Sequence, residues 1–254
     1  MNPSFDVWLE QITDMVAAAG LNHVDVLIDQ ANCDLAILPG LALMEPAMPW
    51  FSLFSGLPEE ALLEQAPLLI RISLDEWRHK SWLGELVEHL APQSRLLVLL
   101  SPLPFESLAK TFQGLSQLEW GGLSGLLRFY DPRVLPHLLD RVLDPEQKEQ
   151  FLGVALFWSW LDRDRLPVWR SGTYRSSSAA PEPPAAITLT DEQYFRLGSL
   201  SDAQQLLGLA SERMPDSTEE QRFEACYHLA LKAEQEGFFG DLEIYVIQDS
   251  KLLF

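Results

Sequence analysis

The chain has 254 residues, 47% of them apolar and 22% charged, which is length and apolar content enough for a substantial core and excludes an intrinsically disordered protein. Acidic residues outnumber basic ones 37 to 18, and the resulting net charge of −19 repels phosphate backbones and anionic lipid, arguing against nucleic-acid and membrane partners. Two distant cysteines (Cys33, Cys226), a start without a basic signal-peptide region and no apolar run near ~20 residues place the expected location in the cytoplasm.

Phe5 to Ala19 reads as an amphipathic helix with Phe5, Trp8, Leu9, Ile12, Met15 and Val16 on one side and Gly20 as its stop. Val24 to Ile28 is a short β-branched strand ending at Asp29. The proline-rich, apolar stretch from Pro39 to Pro58 is expected to be irregular. Strands then alternate with helices: a strand over Leu68–Ile72, a helix from about Leu74 to Leu90, a strand over Arg95–Leu100, a helix from about Phe105 to Leu118, and a strand over Gly125–Tyr130. This order predicts an α/β lobe, a mixed sheet flanked by helices, over residues 1–170.

Leu127-Arg128-Phe129-Tyr130-Asp131-Pro132-Arg133-Val134-Leu135 reads as a strand passing straight into a helix. Asp131 is suited to the N-cap, and Pro132 to the first helical position, where its missing N–H is not needed. Val134, Leu135, Leu138, Leu139 and Val142 recur at helical spacing. Val154 to Trp169 fits either a hairpin with a polar turn at Asp162–Arg165 or a helix through Trp160. Residues 171–186, with Ser176-Ser177-Ser178 and prolines between Pro181 and Pro184, read as a flexible linker. A smaller, mainly helical lobe is expected over 187–254. It opens on a Thr190–Gln193 capping box, has a second box at Ser217–Glu220, and continues through a helix whose face holds Phe223, Cys226, Tyr227, Ala230 and Leu231, ending at Gly237. Leu242–Phe254 fits strand or helix.

No histidine pairs with a cysteine or a second histidine at zinc-ligand spacing, Gly121-Gly122-Leu123-Ser124-Gly125 lacks the lysine of a phosphate loop, and no G-x-S-x-G elbow occurs. Two carboxylates, Asp29 and Asp131, follow strands and have Arg133 nearby. They could serve a metal-assisted hydrolase, since ligands of open α/β sheets gather beyond strand ends. The alternative is structural: Asp131 caps a helix, Asp29 starts a turn and Arg133 is engaged locally. Trp158 and Trp160 share strand parity and could anchor a partner from an exposed face.

The RFYDPRVL junction, together with Val26–Asp29, the run Ser101–Leu118 followed by Gly122–Leu135, and Leu189–Gln193, resembles the adaptor chaperones that load effectors onto the type VI secretion spike. The tryptophan-rich stretch through Trp160 departs from that pattern. The resemblance implies a bacterial, cytoplasmic, non-enzymatic protein without cofactor or metal. Its partners would be one cognate secreted effector and a VgrG spike protein. Arg128, Tyr130, Arg133, Trp158 and Trp160 are the candidate partner-binding residues, with Asp131 and Pro132 as the structural motif. A cleft between the lobes is the expected cargo site, and the resemblance favours a helix at the C-terminal end. An acidic immunity protein that masks a basic toxin is a further alternative.

Overall fold

The computed structural model describes residues 3–176, 186–238 and 240–248. Helix α1 (Pro3–Ala18) buries Phe5, Trp8, Ile12 and Val16 and stops at Gly20, whose φ of +68° suits glycine. Strand β1 (His23–Asp29), β3 (Pro67–Ser73) and β4 (Leu96–Leu100) are the predicted strands, with helix α3 (Trp77–Leu90) between the last two. The proline-rich stretch is more regular than expected. It holds a short helix α2 (Ile37–Leu43) and an edge strand β2 (Trp50–Ser52), and the carbonyl of Pro49 just before that strand accepts the Arg71 N–H at 2.9 Å.

Helix α4 (Phe105–Leu115) is shorter than predicted, because β5 (Gln117–Trp120) follows it at once and pairs with β6 (Leu123–Leu126) across the Gly121–Gly122 turn. The predicted strand Gly125–Tyr130 also ends early. The Phe129 and Asp131 N–H groups bond back to the Leu127 and Arg128 carbonyls at 2.9 and 3.2 Å, so 127–134 turns inward and buries Phe129 and Tyr130. A short α-helix α5 (Leu135–His137) continues as a π-helical turn (Leu138–Val142), then α6 (Pro145–Leu152) begins on an Asp144–Gln147 capping box. Between Val154 and Trp169 the hairpin forms: β7 (Phe157–Leu161) and β8 (Pro167–Ser171). Strand β9 (Ile187–Thr188) leads into α7 (Asp191–Arg213), α8 (Glu219–Gln235) and α9 (Leu242–Gln248).

The main sheet has the order β2-β3-β1-β4-β7-β8 and is antiparallel throughout. Mixed pairing occurs in the small sheet β6-β5-β9, where β5 and β9 run parallel. Every side chain of β4 is buried, so the sheet is covered on both faces. One face, with Val26, Ile28, Ile70 and Val98, packs on α1 and α3. The other, with Leu27, Leu69, Leu97, Leu99 and the Trp158 and Trp160 of β7, packs on Phe112 of α4, in an apolar cluster that continues into Leu206 of α7 and Phe223 of α8. The mainly helical C-terminal part therefore shares its core with the α/β part.

The expected linker 171–186 starts with anchored residues: Gly172, Thr173 and Tyr174 donate backbone bonds to Leu156, Leu152 and Ala155 at 2.8, 2.8 and 3.3 Å. Residues 177–185 of it lie outside the described residues, as do 249–254 of the ambiguous C-terminal segment. The predicted Ser217–Glu220 capping box is displaced by one residue to Thr218–Gln221, since Glu220 is held by Arg163.

On the second face Asp25 is fully buried, opposite Arg71 in the β1–β3 register. The guanidinium grips it through Nε and Nη2 at 2.7 and 2.8 Å and also donates to the Leu103 carbonyl at 2.9 Å. Removing one partner strands a buried charge. Arg71→Ala is expected to destabilise the chain by about 3–5 kcal/mol in urea denaturation. Arg196→Ala, which breaks an exposed pair with Glu192, should change it by under about 1 kcal/mol.

Candidate functional site

The junction after β6 gathers an unusual density of charge beside the core. Asp131 Oδ1 accepts the Arg133 N–H at 2.9 Å, and its carbonyl accepts from Val134 and Leu135 at 2.9 and 3.0 Å. Asp131 and Pro132 thus open a turn that precedes the helix, with the helix itself beginning at Leu135. Arg133 doubles back and holds the same carboxylate through Nε and Nη2 at 3.0 and 2.7 Å. Asp29, at the end of β1, accepts the Ala31 N–H at 3.2 Å, as a turn-starting aspartate does, and is paired with Arg128.

The two carboxylates considered for catalysis are thus brought to one neighbourhood, each engaged by its own arginine. Tyr130 feels both charges: burial, and then the charge of Asp29, push its hydroxyl well above the ordinary tyrosine range. Among the described residues no three His, Cys, Asp or Glu side chains converge as metal ligands.

Arg163, in the β7–β8 turn, went unmarked as a site residue because only its polar turn is legible locally. Its residue exposure is 9%, and it joins three elements. Nη1 donates to both Glu220 oxygens at 3.3 and 3.2 Å, Nη2 donates to the Arg133 carbonyl at 3.1 Å, and the guanidinium carbon stands 3.5 Å from the Phe223 ring centroid. Its backbone N–H also donates to Glu220 at 3.0 Å, while Nε is buried without a hydrogen-bond partner among the described residues. His137 Nε2 lies 3.3 Å from Nη1. Arginine only donates, so this nitrogen accepts and the histidine proton sits on Nδ1.

Above these residues lies a cavity of about 380 Å³ between the junction and α7, with Arg128, Asp131, Arg133 and Arg163 on one wall and Leu200 and Gln204 on the other. A second cavity of about 290 Å³ adjoins it and shares Arg133, Arg163 and Gln204. Together they form a groove between the junction and α7, the elements that border the expected cleft between the α/β and helical lobes. Of the candidate partner-binding residues, Arg128 and Arg133 reach this groove. Tyr130, Trp158 and Trp160 do not present an exposed face: Tyr130 packs edge-on to Phe129, Trp158 packs on Phe112, and all three are buried, because that side of β7 faces α4. A cavity of about 420 Å³ lies elsewhere, beyond β1 around Cys33 and Glu64.

A family model described as a domain of unknown function (DUF4123) matches residues 26–150, just under half of the chain. The match runs from β1 to α6 and includes the RFYDPRVL junction with both acid–arginine pairs. Arg163 and helices α7–α9 fall outside it. No curated protein and no solved structure matches the chain.

Burial first, then the Arg163 and Arg141 charges, lower the His137 pKa from 6.5 to about 4. The folded state therefore resists a proton that the unfolded state takes up near pH 6.5. Its contribution to stability is complete above about pH 6.5 and is lost as pH falls towards about 4. Thermal melts between pH 7 and 4.5 should show this loss. His137→Gln, whose amide oxygen still accepts from Arg163, should lessen the drop.

Proposed function

We propose that this chain is an adaptor chaperone that binds one secreted effector of a type VI secretion system, keeps it soluble and passes it to a VgrG spike protein. The observation that carries this reading is the family match over the junction, since that family is linked to type VI effector adaptors. Two further observations support it. The carboxylates that a hydrolase would use are occupied by arginines, and the cavity beside α7 offers apolar lining from Leu126, Val134, Leu197 and Leu200 next to arginines, a surface suited to a protein segment.

The mechanism is differential binding. An adaptor that binds the folded or transport-competent effector stabilises it by mass action, by about 2.7 kcal/mol when present at a hundred times its dissociation constant. It also covers apolar effector surface that would otherwise self-associate. Hand-over requires only that the spike complex compete for that surface, with no covalent step.

Affinity capture of the tagged chain from its native bacterium, with the bound proteins identified by mass spectrometry, tests this. One large effector, with or without VgrG, is the expected catch. Recovery of neither, under conditions that preserve secretion complexes, would sink the reading. The captured effector should keep its toxic activity, whereas an immunity protein would abolish it.

A further inference from the structure

Resting on the adaptor reading, we propose that an extended segment of the cargo adds as a strand to the open edge of β6 and places a carboxylate side chain on Arg128. In the β5–β6 ladder the Leu127 N–H donates to Ser116, which makes 127/116, 125/118 and 123/120 the hydrogen-bonded pairs. The Ser124 and Leu126 N–H groups therefore point away from β5, along the free edge of the small sheet. They have no partner among the described residues.

That edge lacks the usual protection. Leu123-Ser124-Gly125-Leu126 contains no charge and no proline, and Leu123 is two-thirds exposed. The main sheet's outer strands differ: β2 has only three residues, and β8 carries Pro167 and Arg170. Leu126, the last residue of β6, lines the same cavity as Arg128, so a strand laid along the edge finishes at its mouth.

The cavity's charge selects the occupant. Arg133 and Arg163 are committed to Asp131 and Glu220, so the most exposed of these paired arginines, Arg128, is the group that meets an occupant at the mouth. Arg128 commits Nη2 to Asp29, and its side chain is still 53% exposed, leaving donors for a second carboxylate. A polyanion would be repelled by the net charge of −19, whereas one carboxylate on an otherwise neutral or basic strand would not. A second copy of this chain would offer Leu-Ser-Gly-Leu, which has no carboxylate. Strand addition supplies backbone affinity, and the arginine contact supplies selectivity.

The test titrates the isotope-labelled full chain with the capped peptide acetyl-Val-Thr-Asp-Thr-Val-amide and with its Asn counterpart, following backbone amides by NMR. The Ser124 and Leu126 amides should shift saturably and exchange more slowly with solvent, and the Asp peptide should bind about tenfold tighter than the Asn peptide. Arg128→Gln should erase that difference, and Ser124→Pro should abolish binding. If Ser124→Pro fails to fold, the Arg128→Gln comparison decides. Unmoved Ser124 and Leu126 amides, or equal binding of the two peptides, would overturn the proposal. Equal capture of the effector by wild type and Ser124→Pro would also overturn it while leaving the adaptor reading intact. Peptide binding at this edge without any effector capture would do the reverse.

Discussion

Strand β4 has no solvent-facing side, and neither has most of β1 or β3, so the sheet can exist only between two apolar covers. Local sequence supplies the first, since α1 and α3 flank the strands they pack on. The second combines α4, which directly follows β4, with the C-terminal helices from far along the chain, while the β7–β8 hairpin extends the sheet beneath them. Much else follows from that second requirement. The hairpin must dock beside β4, its turn then meets the N-terminal end of α8, and the junction after β6 is pressed between them.

Charge is managed inside this arrangement by strict pairing. Asp25 with Arg71, Asp29 with Arg128, Asp131 with Arg133 and Glu220 with Arg163 each place a carboxylate against a guanidinium, with at least one partner of each pair buried. Arg163 is the most heavily used. It binds the α8 carboxylate, the junction carbonyl and the Phe223 ring at once, and burial lowers its pKa despite Glu220. The same network that holds the helices to the sheet therefore leaves arginines lining a groove in an acidic protein.

The sequence made the first cover legible because its signals are local. Trp8, Ile12 and Val16 mark α1 by spacing, and the Val24–Ile28, Leu68–Ile72 and Leu96–Leu100 runs mark buried strands. Signals failed where pairing is remote. Gln117 and Leu118 continue the periodicity of α4, yet join a strand that pairs with β6 across the Gly121–Gly122 turn and, from far along the chain, with residues 187–188. In Ser217-Thr218-Glu219-Glu220-Gln221 two capping patterns overlap, and the choice falls to Arg163, 57 residues away in sequence, which removes Glu220 from use. Trp158 and Trp160 were legible as one face of a strand, but parity cannot say whether that face meets solvent or core. The groove-lining residues of α7 carry no signature of their own, since long helices with mixed surfaces are common.

The order of strands also sets a timetable. Strands β1 to β4 are contiguous in the chain and can pair as soon as residue 100 is available, whereas the far edge of β4 waits for β7. Some 57 residues separate Leu100 from Phe157, roughly 3–11 s of synthesis at about 5–20 residues per second. During that interval the nascent sheet has an unpaired edge, one uncovered apolar face, and a Trp8 indole whose Ser159 acceptor does not yet exist. For those seconds the newborn chain exposes an edge and a face that only its later hairpin and helices close.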